Sequence, residues 1–119
     1  MIIYHITTQQ DWQKAQAVGV YTAESLVGQG FIHASTGEQV TDTAQRYYSG
    51  RHGLLLLAIE TSRVRPEVRF ELVMLPIGET QFPHIYGPLN LDAVTGIAAF
   101  EPDAQGVFNL PDNFHSPEQ

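Results

Sequence analysis

The chain opens Ile2-Ile3-Tyr4-His5-Ile6-Thr7-Thr8-Gln9-Gln10-Asp11-Trp12, and the change of pattern inside this stretch decides the fold class. Ile2 to Ile6 is a run of β-formers and reads as a buried strand. Thr8 and Asp11 then stand three apart as in a capping box, with Thr8 as N-cap and the Asp11 carboxylate reaching back from N3. Trp12, Ala15 and Val18 follow at helical spacing until Gly19 stops the helix, and Trp12 reads as a core anchor. The first unit is therefore a strand feeding an amphipathic helix.

Working outward, Thr22 to Leu26 reads as a single helical turn, and Gly28-Gln29-Gly30 leads into a strand from Phe31 to Ala34. Thr36-Gly37-Glu38-Gln39 repeats the capping signature, with a helix to about Tyr48 whose inner face carries Val40, Ala44 and Tyr47 or Tyr48; Ser49-Gly50 ends it. Leu54 to Glu60 is the most apolar stretch and reads as a central strand covered on both faces. Val68 to Leu72 alternates, with Arg69 and Glu71 on one face and Val68, Phe70 and Leu72 on the other. Pro83 and Gly87-Pro88 predict that Phe82 to Tyr86 is a short, stiff rim strand with limited ladder pairing. A last strand runs from Val94 to Phe100. The order strand, helix, strand, helix, then several strands is α+β, with two N-terminal helices and a largely later sheet. Residues 1–100 are expected as one globular domain, and 101–119 as a tail packed on it or frayed.

With thirteen acidic and six basic residues, the formal net charge of −7 argues against general nucleic-acid binding. A small phosphorylated ligand would need a cluster of Arg46, Arg51, Arg63, Arg65 or Arg69, whose convergence the sequence does not show. No cysteine is present for disulfides or thiolate metal sites. The apolar run Leu54 to Ile59 is too short to span a bilayer, and Met1 leads directly into a strand, so the expected location is the cytoplasm, away from membranes.

Three times a histidine is followed two residues later by a hydroxyl: His5-Ile6-Thr7, His33-Ala34-Ser35 and His84-Ile85-Tyr86. In a strand such residues share a face, which sets an imidazole beside a hydroxyl, and imidazole serves as acid, base or donor near neutral pH. A single strand histidine is more often a hydrogen-bonded structural residue, but three in the same phrase point to one shared concave site, with His52 and His115 outside it. His33 and Ser35 precede a helix N-terminus, a natural place for an anion. The histidines sit on separate strands without His-Glu-x-x-His spacing or accompanying carboxylates, so no metal is expected. Ser35 lacks a Gly-x-Ser-x-Gly elbow.

Tyr4-His5-Ile6-Thr7, the helix with Trp12, Gly30-Phe31-Ile32-His33-Ala34-Ser35-Thr36 and the helix with Tyr47 and Tyr48 resemble the start of an ADP-ribosyltransferase fold. The phrases Tyr-His-Ile-Thr, Gly-Phe-Ile-His-Ala-Ser-Thr and Phe-Pro-His-Ile-Tyr-Gly-Pro-Leu, over about Ile2 to Phe100, resemble the bacterial domain-of-unknown-function family 952. The first resemblance implies an ADP-ribosyltransferase-like split β-sheet, NAD or ADP-ribose as cofactor, and activity of the ADP-ribosyltransferase or tRNA 2′-phosphotransferase kind. It implies His5 and Thr7 beside the ribose, His33, Ser35 and Thr36 at the second-strand motif, and Tyr47 or Tyr48 stacked on nicotinamide. These transferases usually carry a later-strand glutamate; Glu71 is the only one here in suitable context, with His84 and Tyr86 as the competing third element. Three functions stay open: nucleotide binding with transfer at the ribose, a non-catalytic ligand-sensing or partner-binding module, and a histidine-based hydrolase or phosphodiesterase. Glu71 near the histidines favours catalysis, and the separation of His5 and His33 tests the hydrolase.

Overall fold

The computed structural model describes residues 1–111 and Phe114. Among these residues eight strands and three helices follow one another as β1 (Ile2–Thr8), α1 (Gln9–Val18), β2 (Val20–Tyr21), α2 (Glu24–Gly28), β3 (Ile32–His33), α3 (Val40–Tyr47), β4 (Leu54–Glu60), β5 (Glu67–Leu75), β6 (Gly78–Tyr86), β7 (Leu89–Asn90) and β8 (Val94–Ala99). The fold is α+β, and every strand pair is antiparallel. One sheet has the order β1-β4-β8, a second β3-β6-β5, and β2 pairs with β7.

The opening stretch forms the strand, the Thr8 cap and the Gly19 stop that its pattern predicts, but among the described residues the Asp11 carboxylate makes no hydrogen bond back to Thr8. The Asp11 N–H donates to Thr8 Oγ1 at 3.1 Å, and Gly19 closes α1 at φ +101°, a left-handed conformation that glycine adopts without a Cβ clash. Trp12 and Ala15 are buried, whereas Val18, on the last turn, is exposed. β4 is the central strand of its sheet. Leu57 and Ile59 pack with Ile3, Trp12, Ala15 and Tyr21 on one face, and Leu54, Leu56 and Ala58 pack with Tyr4, Ile6, Val40, Ala44, Phe100 and Phe108 on the other.

Three expectations are corrected. Among the described residues there are three helices rather than two, the extra one being the single turn of α2. α3 starts at Val40, not directly after Thr36. The Gln39 side chain accepts from the Thr36 N–H at 3.0 Å, so this arm of the capping box holds a turn ahead of the helix. β6 is no short rim strand: it has nine residues and lies between β3 and β5. Pro83 is tolerated there because Phe70↔Pro83 alternates with bonded pairs on the β5 side. On the other side its carbonyl accepts from Ala34 (3.1 Å), where the β3 ladder has ended at His33. After residue 100 the chain packs against this core as far as Phe108. That ring is 2% exposed and lies 5.2 Å from Phe100, and the Gln45 side chain accepts from the Phe108 N–H and donates to the Gly106 carbonyl.

The two larger sheets meet where Tyr4 and Ser35 exchange backbone hydrogen bonds of 2.7 and 2.8 Å. Among the described residues no helix is long and apolar enough to cross a membrane.

Candidate functional site

A cavity of about 470 Å³ lies where the sheets join. Tyr4, His5 and Ile6 of β1 form one wall and Val73, Leu75, Phe82 and His84 of β5 and β6 another. His33 to Ser35 lie between them, and α3 with its following turn brings Thr43, Arg46, Tyr47, Tyr48 and Arg51. His5, His33 and His84 thus line one cavity together with Ser35, Tyr47 and Tyr48. His52 lies elsewhere, with Nδ1 2.9 Å from Glu101 Oε2 and its ring well exposed; His115 lies outside the described residues.

Each histidine is held differently. His5 donates from Nδ1 to the backbone carbonyl of His33, and its Nε2 lies 2.7 Å from the Tyr21 hydroxyl, which is 2.9 Å from Thr7 Oγ1. A carbonyl can only accept, so the ring proton is on Nδ1, and burial pushes the pKa of His5 down to about 4, which keeps the ring neutral. Nε2 then accepts from Tyr21, and since each hydroxyl has one proton, Thr7 donates to the Tyr21 oxygen. Burial likewise pushes Tyr21 up to about 12. β2 and β7 pair at Tyr21↔Leu89, which fixes the ring under His5. Both nitrogens of His5 are therefore used within the chain, and Thr7 stands behind it, off the cavity wall.

His33 and His84 are register partners across β3 and β6, and their ring centroids are 5.5 Å apart. His33 Nε2 donates to Gln29 Oε1 at 2.7 Å, and burial followed by the neighbouring His84 lowers its pKa. His84 donates from Nδ1 to Glu71 Oε1 at 2.8 Å, and the same oxygen accepts a short hydrogen bond from Tyr86. The Tyr86 and His84 bonds hold the Glu71 carboxyl below its usual range, and the Glu71 bond pushes Tyr86 up. Arg69 lies 4.4 Å over the Tyr86 ring and pairs with Glu67. Phe31 stacks on His84 at 4.0 Å and meets His33 edge-on at 4.9 Å.

Glu71 and Tyr86 consequently back His84 rather than line the cavity. Thr36 is absent from the lining as well, its N–H committed to Gln39. Ser35 Oγ lies 3.2 Å from Thr43 Oγ1. The sequence reading did not select Arg46 and Arg51 for the cavity lining, nor Phe31 as the ring stacked on His84. Arg46 pairs with Asp42 one helical turn earlier at 2.9 Å, and Arg51 lies 5.2 Å over Tyr48, whose pKa burial raises. The signal for the arginines was weak but present, since they flank Tyr47 and Tyr48. Among the described residues two of the six Lys and Arg side chains, Arg46 and Arg51, line the cavity and no carboxylate does, although the chain carries net −7. That segregation suits an anion. Among the described residues no group of three or more His, Asp or Glu is placed to hold a metal ion.

The family model described as "Protein of unknown function (DUF952)" matches residues 6–97. The crystal structure of protein CC0527 from Caulobacter crescentus is similar at 35% identity and a TM-score of 0.80, covering 92% of this chain and 95% of that one. The solution NMR structure of CC0527 gives 36%, 0.74, 89% and 90%. No curated protein matches the sequence. The chain belongs to the DUF952 family.

Proposed function

We propose that this member of the DUF952 family binds NAD, ADP-ribose or a related nucleotide in the cavity, on an ADP-ribosyltransferase-like split sheet, with ADP-ribosyl or phosphoryl transfer as the chemistry the site would serve. The observation that carries the reading is the charge segregation: Arg46 and Arg51 beside His33, His84 and the rings of Tyr47 and Tyr48, with no carboxylate in the lining among the described residues. Guanidinium groups suit phosphate oxygens, and aromatic faces suit a base or nicotinamide ring. The two sheets joined at Tyr4 and Ser35 support the fold assignment. Binding stands ahead of transfer in this reading. Glu71 is close to a histidine, which favours catalysis, yet it bonds His84 and is not a lining residue, so among the described residues no glutamate lines the cavity to steady an oxocarbenium-like state.

The test is a thermal-shift screen of NAD, ADP-ribose, nicotinamide and inorganic phosphate. A ligand that binds only the folded chain at a hundred times its Kd adds about 2.7 kcal/mol. ADP-ribose or NAD is expected to raise the melting temperature, nicotinamide to do so least, and Arg51→Ala to weaken the response roughly tenfold in ligand concentration. A screen in which no nucleotide shifts the curve rejects the reading. The 5.5 Å spacing of the His33 and His84 rings also favours a second reading, a phosphodiesterase with these two as acid and base. Hydrolysis of a phosphodiester with a bell-shaped pH profile, lost in both His33→Ala and His84→Ala, would select it.

A further inference from the structure

We infer that His84, fixed by Glu71 and Tyr86, accepts a hydrogen bond from a hydroxyl of the bound ligand and thereby selects ribonucleotides over deoxyribonucleotides. The inference rests on the nucleotide reading above and adds what the site requires of that nucleotide.

His84 Nε2 is buried and has no hydrogen-bond partner among the described residues, and the residue as a whole is 4% exposed. Buried polar atoms are nearly always paired, so an orphan on a cavity wall marks the place where a ligand supplies the missing partner. The surrounding bonds define what that partner must be. Glu71, held below the usual carboxylate range by its two hydrogen bonds, accepts from Nδ1, so Nδ1 is committed to the carboxylate and Nε2 is the nitrogen left open to a ligand hydroxyl. The ring cannot turn to exchange its two nitrogens. Nδ1 is tied to β5, Phe31 covers one face at 4.0 Å, and the His33 ring closes in edge-on at 5.5 Å.

The cavity therefore asks for a ligand that is anionic toward Arg46 and Arg51 and also carries a donor for Nε2. Sulfate and simple carboxylates meet the first demand and lack a donor. A ribose phosphate meets both, because its sugar hydroxyls stand within a few bonds of the charge. A site built to hydrogen-bond a hydroxyl rejects the analogue without it far more strongly than an apolar pocket rejects a missing methylene, since the acceptor is then left buried and unpaired.

Calorimetric titration with ADP, 2′-deoxy-ADP and 3′-deoxy-ADP tests the inference. The unaltered protein is expected to bind ADP about tenfold or more tightly than at least one deoxy analogue. His84→Phe keeps a ring against Phe31 and removes the acceptor, and it should bring the ADP-to-deoxy ratio close to one while phosphate-dependent binding survives. Glu71→Ala, at a more exposed position, leaves the imidazole in place with its tautomer unfixed and should lower the same ratio, as a positioning residue would. If ADP binds and both deoxy forms bind equally well, the inference fails and the nucleotide reading stands. If the preference persists in His84→Phe, the hydroxyl is read elsewhere and the inference also fails. If ADP, NAD and ADP-ribose all fail to bind, the nucleotide reading fails and takes the inference with it.

Discussion

In β4 alternate residues turn to opposite sides and both sides are covered, by α1 and its neighbours on one and by α3 and Phe108 on the other. In β5 the alternation is as regular, yet Phe70, Leu72 and Met74 project from a face that is left open, with Leu72 62% and Met74 71% exposed. The opposite face of β5 carries Arg69 and Glu71 behind His84, and Val73 and Leu75 at the cavity. The β1-β4-β8 sheet thus uses its apolar residues for cohesion. The β3-β6-β5 sheet gives one face to the site and leaves much of the other uncovered. Burial, rather than hydrophobicity alone, decides what each residue is worth to the fold.

Phe108→Ala should produce the largest change, because it removes a ring from the covered side of β4. We expect a loss of about 3–5 kcal/mol in urea denaturation. A loss of under about 1 kcal/mol would show that residues 101–111 merely lie on the surface, and the contrast between the sheets would weaken.

Acid should act through the same closed sheet. His5 has its pKa lowered from 6.5 to about 4 in the folded chain, so the unfolded chain binds the proton first as pH falls. This contribution is fully present above pH 6.5 and is lost progressively toward pH 4, amounting to roughly 3 kcal/mol. Denaturation measured across that range should show the slope, and His5→Gln should flatten it. A slope unchanged by the substitution would assign the effect to other groups.

The smallest effect is expected on the open face. Leu72→Ala should stay within about 0.5 kcal/mol of the unaltered protein in the same denaturation assay. A loss comparable to that of a buried leucine would mean that this face is covered in solution, and the comparison would have to be redrawn.

Sequence alone made the α+β class legible, along with the strand–cap–helix opening, the central β4 and the three histidines on a shared site, because each depends on local periodicity or capping. Pro83 misled because the rule against proline in inner strands concerns an N–H that must be paired, and the sequence does not tell which side of the ladder that N–H would face. Phe108 stands among polar residues and prolines, so no pattern announced its burial. The convergence of Arg46 and Arg51 depends on how α3 crosses the sheet, a tertiary matter. Glu71 was singled out as the later-strand glutamate, but whether it would reach the histidines, and then face the ligand or stand behind His84, depended on the β5–β6 register.

The joint at Tyr4 and Ser35 has a mechanical meaning. The cavity walls stand on either side of it, Tyr4, His5 and Ile6 on one sheet and Phe82 and His84 on the other, while among the described residues two backbone hydrogen bonds stitch the sheets there. Anything lodged in the cavity grips both sheets at once and acts as a rivet beside that seam. Its binding energy is then shared with the opening of the seam, and the exchange rates of two amide protons, those of Tyr4 and Ser35, become a local gauge of occupancy.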